Sequence, residues 1–126
     1  MRGDLKKLQG TWTLAEIEVE GRKMPYSGSK VVLDGQKFTT IAMGNDYGGT
    51  VELDSAKSPK MFDLLFTSGP HKGLKSLGIY ELDGDTWRIC LAFAGIKTRP
   101  KEFATTLGSG FALETLKRGD VSAPAL

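Results

Sequence analysis

Short runs of alternating apolar and polar residues recur along nearly the whole chain, and each is followed by residues that reverse a backbone. After a first run at 11–20 they fall at 30–33, 37–43, 47–54, 61–66, 75–82, 86–93 and 111–117. A period of two is the strand signature, because successive side chains of a strand point to opposite faces. The separators are Asp34-Gly35, Gly44-Asn45-Asp46, Ser58-Pro59, Gly69-Pro70, Asp83-Gly84 and Gly108-Ser109-Gly110. These residue types supply φ > 0 or a fixed φ and so make turns. No segment between the runs sustains a helical period, which disfavours parallel β-α-β units and favours an antiparallel meander. A meander of about eight strands removes its exposed edges only by closing on itself. The spacing therefore predicts an all-β protein, an up-and-down antiparallel barrel with one short helical turn before it, where Asp4 would be the N-cap and Leu5 and Leu8 would share a face.

A chain of 126 residues has no room for a second core, so one domain is expected over 1–118, followed by a flexible tail over 119–126. The 16 glycines suit many tight turns. The net charge of +2 comes with lysines scattered along the chain, so a basic stripe interleaved with stacking aromatics is missing and nucleic acid is not the expected partner. A single cysteine, Cys90, forms no internal disulfide. The residues after Met1 carry no apolar stretch of the kind an export signal needs, and no run approaches a membrane span. The chain as given thus reads as cytoplasmic, with export of a longer precursor left open.

Two places bear on which side chains face inward. In the first strand the apolar residues change parity, from Trp12 and Leu14 to Ile17 and Val19, which requires a bulge or bend near Ala15. At Asp83-Gly84 a two-residue turn would pair Leu82 with Asp85 and Tyr80 with Trp87. Gly78, Tyr80, Leu82, Trp87, Ile89 and Leu91 would then share one face. A three-residue loop would instead group Tyr80 with Arg88 and Cys90; the first register is preferred for its cleaner faces.

Gly10-Thr11-Trp12 opens the first strand directly after the helical turn, and Lys117-Arg118 closes the last. This resembles the lipocalin signature, in which a Gly-x-Trp is capped by a basic side chain, and a cation over an indole contributes about 0.5 to 2 kcal/mol wherever it occurs. The ordered set DLKKLQGTW, DSAKSPKMFDL, GPHKG, GIYELDGDTWRICLA, RPKEF and LETLKR resembles a family of uncharacterised lipocalin-like domain proteins common in planctomycetes and other environmental bacteria. The resemblance implies a lipocalin-like barrel and no particular activity. Many members of that family are exported, a property that this chain's N-terminus gives no ground to carry over.

Trp12 and Arg118 are expected to close one barrel end. For a ligand in the lumen the candidates are Tyr80, Trp87, Phe62, Arg99 and Asp63. Tyr80 and Trp87 pair an apolar body with one hydrogen-bonding group, as ligand pockets need, or else simply fill the core. Arg99, near a barrel end, could bind a carboxylate or tie down its own loop through Glu102. Asp63 lies in an apolar strand and faces either solvent or a buried partner, and burial would raise its pKa toward acid–base use. His71 lies in a glycine-rich turn without ligand partners at metal spacing, and Cys90 reads as a small buried hydrophobe, so no metal and no cofactor are expected.

The function these features suggest is a small barrel that binds a small apolar or amphipathic molecule. The alternatives are a cofactor-free isomerase or cyclase using the same pocket, and a filled barrel with a structural role. Strands 61–66 and 75–82 are apolar on both faces. The second face requires a cover: the N-terminal turn, the chain's own loop over 94–108, or a second copy in a homodimer through these strands, which is favoured.

Overall fold

In the computed structural model, which describes residues 3–25, 28–41 and 46–119, hairpin follows hairpin until the last strand returns to the first. After a one-turn helix α1 (Gly3–Lys7) come β1 (Gly10–Val19), β2 (Arg22–Lys23), β3 (Lys30–Asp34), β4 (Lys37–Ile41), β5 (Tyr47–Asp54), β6 (Lys60–Phe66), β7 (Lys75–Asp83), β8 (Thr86–Ala92) and β9 (Phe111–Arg118). Eight of them form a closed antiparallel barrel sealed by β1 against β9, and β2 is a two-residue addition to the far end of β1. So short a strand carries no alternation, which is why the sequence does not announce it. Residues 42–45, expected to hold the end of the strand over 37–43 and its turn, lie outside the described residues, as does the expected tail apart from Gly119. Asp4 lies within α1 and not at its N-cap. Among the described residues no helix is long and apolar enough to cross a membrane.

Register decides which side chains enter the barrel. On β1, Leu14 opposes Leu116 and Glu16 opposes Thr115, so Ala15 is the inserted residue, and beyond it Ile17 and Val19 point inward where Glu16 and Glu18 point out. At the hairpin joining β7 and β8 the paired residues are Asp83 with Thr86, Leu82 with Trp87 and Tyr80 with Ile89. The two turn residues are therefore Gly84 and Asp85, not Asp83 and Gly84, because Gly84 takes the first turn position with φ 58°. The same holds at Asp34-Gly35, where Asp34 pairs with Lys37 and Gly35 has φ 63°. The correction moves the pairing by a whole pleat repeat, so Gly78, Tyr80, Leu82, Trp87, Ile89 and Leu91 still share the inner face.

The outer face of β7 and β8 is apolar too, and the chain covers it with its own loop between β8 and β9. Ile79 and Cys90 are fully buried beneath that loop, which buries Pro100 in turn. Cys90 Sγ lies 3.6 Å from the Ala104 carbonyl oxygen. The loop is pinned at three points. Arg99 donates to the Phe62 and Gly78 carbonyls at 2.9 and 2.8 Å and pairs with Asp63 at 2.6 Å. The Thr105 hydroxyl donates to Glu18 at 2.5 Å, and the Gly108 N–H donates to Glu20 at 2.6 Å. The loop thus covers the part of the apolar outer face around Ile79 and Cys90, while Leu65 on β6 stays exposed.

At the other end α1 and three hairpin turns close the barrel. Trp12 is fully buried, and its indole N–H donates to the Leu8 carbonyl at 2.8 Å. The Arg118 guanidinium stacks 4.3 Å from the Trp12 ring centre while donating to the carbonyls of Lys7 and Gln9 and pairing with Asp85. Trp87 meets Trp12 edge to face at 5.5 Å. Gln9 exchanges two hydrogen bonds with Gly35 at 2.7 and 3.0 Å, fastening α1 to the turn between β3 and β4. Replacing Trp12 with Ala is expected to destabilise the fold by about 3 to 5 kcal/mol, the usual cost of removing a buried indole. Chemical denaturation measures it, and a change under about 1 kcal/mol would show that the indole does not carry the floor.

Candidate functional site

Above that floor the barrel is not filled. A cavity of about 480 Å³ lies in the lumen, lined by inward positions of every barrel strand except β7. The exception has a local cause. Gly78 and Tyr80 are inner positions of β7, and the Phe62 ring lies directly over Gly78, where even a Cβ would come within 2.5 Å of it. Phe62 therefore takes the volume that a side chain on β7 would occupy, and presents its own ring to the cavity.

The lower wall is apolar, made by Leu14, Leu33, Phe38, Val51, Trp87 and Leu116. Higher up, Ile17, Val31, Leu64, Ile89 and Leu91 continue it, and Met24 and Pro25, from the segment after β2, line its outer end. Among the described lining residues one carries a carboxyl, Glu114, and none is Lys, Arg, His or Asp. Glu114 lies on β9 between Ala112 and Leu116, opposite Ile17 of β1 and Ile89 of β8. Alternation forces it inward: on a strand whose Leu116 packs on the floor, the residue two positions earlier must face the same lumen. Enclosure by apolar neighbours disfavours the carboxylate, and the pKa is pushed up to about 7 from an ordinary 4.5.

Tyr47, on β5, also lines the cavity. Burial pushes its phenol up, a hydrogen bond with Thr40 pulls it partly back, and the negative charge of Glu114 pushes it up further. The Trp87 indole N–H is buried with no hydrogen-bond partner among the described residues, so a polar group in the lumen has a donor within the wall to answer.

Of the sequence candidates, the structure brings Trp87 and Phe62 to the cavity and takes three elsewhere. Tyr80 is an inner residue at the closed end, where its hydroxyl donates to Asp4 at 2.8 Å beside a Lys60 ammonium on the same carboxylate oxygen. Lys60 holds Asp4 below its usual pKa, and burial followed by the bond to Asp4 drives the Tyr80 phenol far above its own. Arg99 and Asp63 lie on the outer face and pair with each other. Arg99 thus ties down its loop through Asp63 and two carbonyls, not through Glu102. His71 is exposed, with its ring against the edge of Phe66 at 5.7 Å. Burial raises the Cys90 thiol pKa. Among the described residues no cluster of His, Cys, Asp and Glu could hold a metal ion.

Glu114 was not among the candidates. Its signal was available in the strict alternation Ala112, Glu114, Leu116, but an acid flanked by Leu113 and Thr115 reads as solvent-facing until the parity of the strand is known. Models of known protein families, curated proteins and solved structures yield no match to this chain.

The half-buried acid makes stability depend on pH in a definite direction. Glu114 binds its proton more tightly folded than unfolded, so its contribution is complete below about pH 4.5, shrinks as pH rises toward 7, and is gone above. Urea denaturation at pH 5 and pH 8 is expected to show the wild type losing up to roughly 3 kcal/mol, at about 1.4 kcal/mol per pKa unit, with most of that loss abolished in Glu114→Gln. Equal losses in both proteins would show that the carboxyl is not enclosed.

Proposed function

We propose that this barrel is a binding protein that holds a small apolar or amphipathic molecule in its lumen. The observation that carries the proposal is the unfilled cavity of about 480 Å³, walled by aliphatic and aromatic side chains and interrupted by very few polar groups. Ligand pockets span about 300 to 1,000 Å³ and combine apolar walls with a small number of placed polar groups. A barrel with a purely structural role gains by filling this volume, because each void forfeits dispersion contacts along its lining. Here the packing stops sharply: Trp12, Trp87 and Leu8 close the floor, and the next inward positions leave space.

The test uses Nile red, a neutral apolar dye whose emission rises when it leaves water. The wild type is expected to bind it. Val31→Trp, which puts an indole into the cavity, should weaken binding at least about tenfold, the equivalent of about 1.4 kcal/mol. Leu65→Trp adds the same bulk on the outer face, where Leu65 is exposed, and should leave binding unchanged. Wild-type affinity in Val31→Trp would place the dye outside the lumen and defeat the proposal.

A further inference from the structure

We infer that the occupant of the lumen is a cationic amphiphile, a protonated amine on an apolar body, with its ammonium group held by Glu114. The inference rests on the lumen being a binding site and adds the chemistry of what it selects.

Three classes of amphiphile fit apolar walls equally well: anionic, neutral and cationic. The lining separates them. An anionic head group such as a fatty carboxylate finds no Lys, Arg or His among the lining residues, and it would meet Glu114, whose charge repels it. A neutral alcohol can hydrogen-bond to Glu114 but brings no charge to offset that of the carboxylate, and closing the cavity over it removes water that solvated the acid. A protonated amine supplies the missing opposite charge and makes a charge-assisted hydrogen bond in a poorly solvated site, where such bonds are strongest. The aromatic wall acts in the same direction, because the faces of Tyr47, Phe38, Phe66 and Trp87 attract cations as well as apolar groups. The height of Glu114 along the barrel suits this arrangement. Leu116 and Leu14 lie below it and give an apolar tail a dry floor, while Ala112, Val19 and Met24 lie toward the opposite end.

Binding should then depend on pH through one group. The neighbouring strands offer Ile17 from β1 and Ile89 from β8 beside Glu114, and the titratable residues on those strands, Glu16, Glu18, Arg88 and Cys90, face outward. Tyr47 from β5 is the other ionisable residue among the described lining residues, and its raised pKa keeps it neutral throughout the relevant range. An ammonium stabilises the carboxylate, so amine binding expels the Glu114 proton wherever the empty site holds one. Amine affinity therefore rises with pH up to the titration of Glu114, which lies at about 7 in the empty barrel, and levels off above it.

Octylamine, octanol and octanoate share a tail and differ in head group, and displacement of Nile red ranks them. Octylamine is expected to bind at least about tenfold more tightly than the other two at pH 8. It should lose several-fold of its affinity at pH 6 while octanol does not change. Glu114→Gln, which keeps the shape of the side chain, should remove both the preference and the pH dependence, with near-ultraviolet circular dichroism reporting that the barrel is intact. The wild-type pH profile stands as an independent measurement should that variant fail to fold. Nile red binding that Val31→Trp abolishes, together with octanol or octanoate matching octylamine, would overturn the cation while leaving the lumen as a site. Absence of Nile red binding to the wild type would overturn the lumen and the cation together.

Discussion

The indole of Trp12 is where closure of the barrel and closure of its floor become one event. Trp12 opposes Arg118 in the antiparallel ladder that joins the first strand to the last. The guanidinium lies over the ring because that ladder is in register, and the same guanidinium then reaches the carbonyls at the end of α1. These carbonyls are among the groups a helix C-terminus leaves unsatisfied, and a cation there is favoured on that ground as well. A slip of one residue between β1 and β9 would turn Trp12 to solvent and lift Arg118 off both partners. One stacked pair thus enforces the register of the whole cylinder, and the lumen inherits its shape from that register. The Ala15 bulge belongs to the same argument: without it, the parity that buries Trp12 would have put Glu16 and Glu18 into the cavity.

The wall formed by β7 and β8 has to satisfy apolar side chains on both of its faces. Inside, Trp87 and Ile89 border the cavity; outside, Ile79 and Cys90 lie under the loop that joins β8 to β9. A second set of polar contacts, apart from those at the floor, holds that loop in place. Arg99 answers two strand carbonyls and Asp63, and Glu18 and Glu20, outward on or after β1, receive Thr105 and Gly108. The consequence for the lumen is chemical. Charged residues that a strand-by-strand inspection would offer to a ligand are committed to the outer surface, and Glu114 remains as the acid among the residues lining the cavity.

How far the sequence revealed this follows from what alternation can and cannot say. Period two, with turn residues at regular spacing, was enough for an antiparallel barrel, and the change of parity after Leu14 was enough for the bulge at Ala15. Alternation does not say which of the two faces is the inside. For β6 that ambiguity was mild, because Phe62, Leu64 and Phe66 outweigh Met61, Asp63 and Leu65, yet Asp63 still drew attention as an acid in an apolar run. For β9 the two faces carry Ala112, Glu114 and Leu116 against Phe111, Leu113, Thr115 and Lys117, and local composition favours the wrong one as interior. Only the pairing of Leu116 with Leu14 and Trp87 decides it, and that is a long-range contact. Tyr80 is a different case. Alternation gives its inner face, but a phenol on an inner face can end at either end of a barrel, and the Asp4 carboxylate that holds it comes from 76 residues away.

A carboxyl that titrates near neutrality is also what an acid–base catalyst would need, and the lumen must be weighed on that count. Proton transfer catalysis needs a second group, one that stabilises the charge developing on the substrate or handles the other proton. Within the described lining the nearest candidate is Tyr47. Its phenol is shifted upward by burial and by Glu114 itself, so at neutral pH it is a poorer acid than tyrosine in water, and it is already engaged with Thr40. The buried N–H of Trp87 is a donor, but Trp87 belongs to the row that packs against Trp12 at the floor, with its partner on β9 being Leu116 and not Glu114. Glu114, Tyr47 and Trp87 thus stand on three different strands, β9, β5 and β8. A single acid among the described lining residues of an apolar cylinder can select a ligand by charge through desolvation alone.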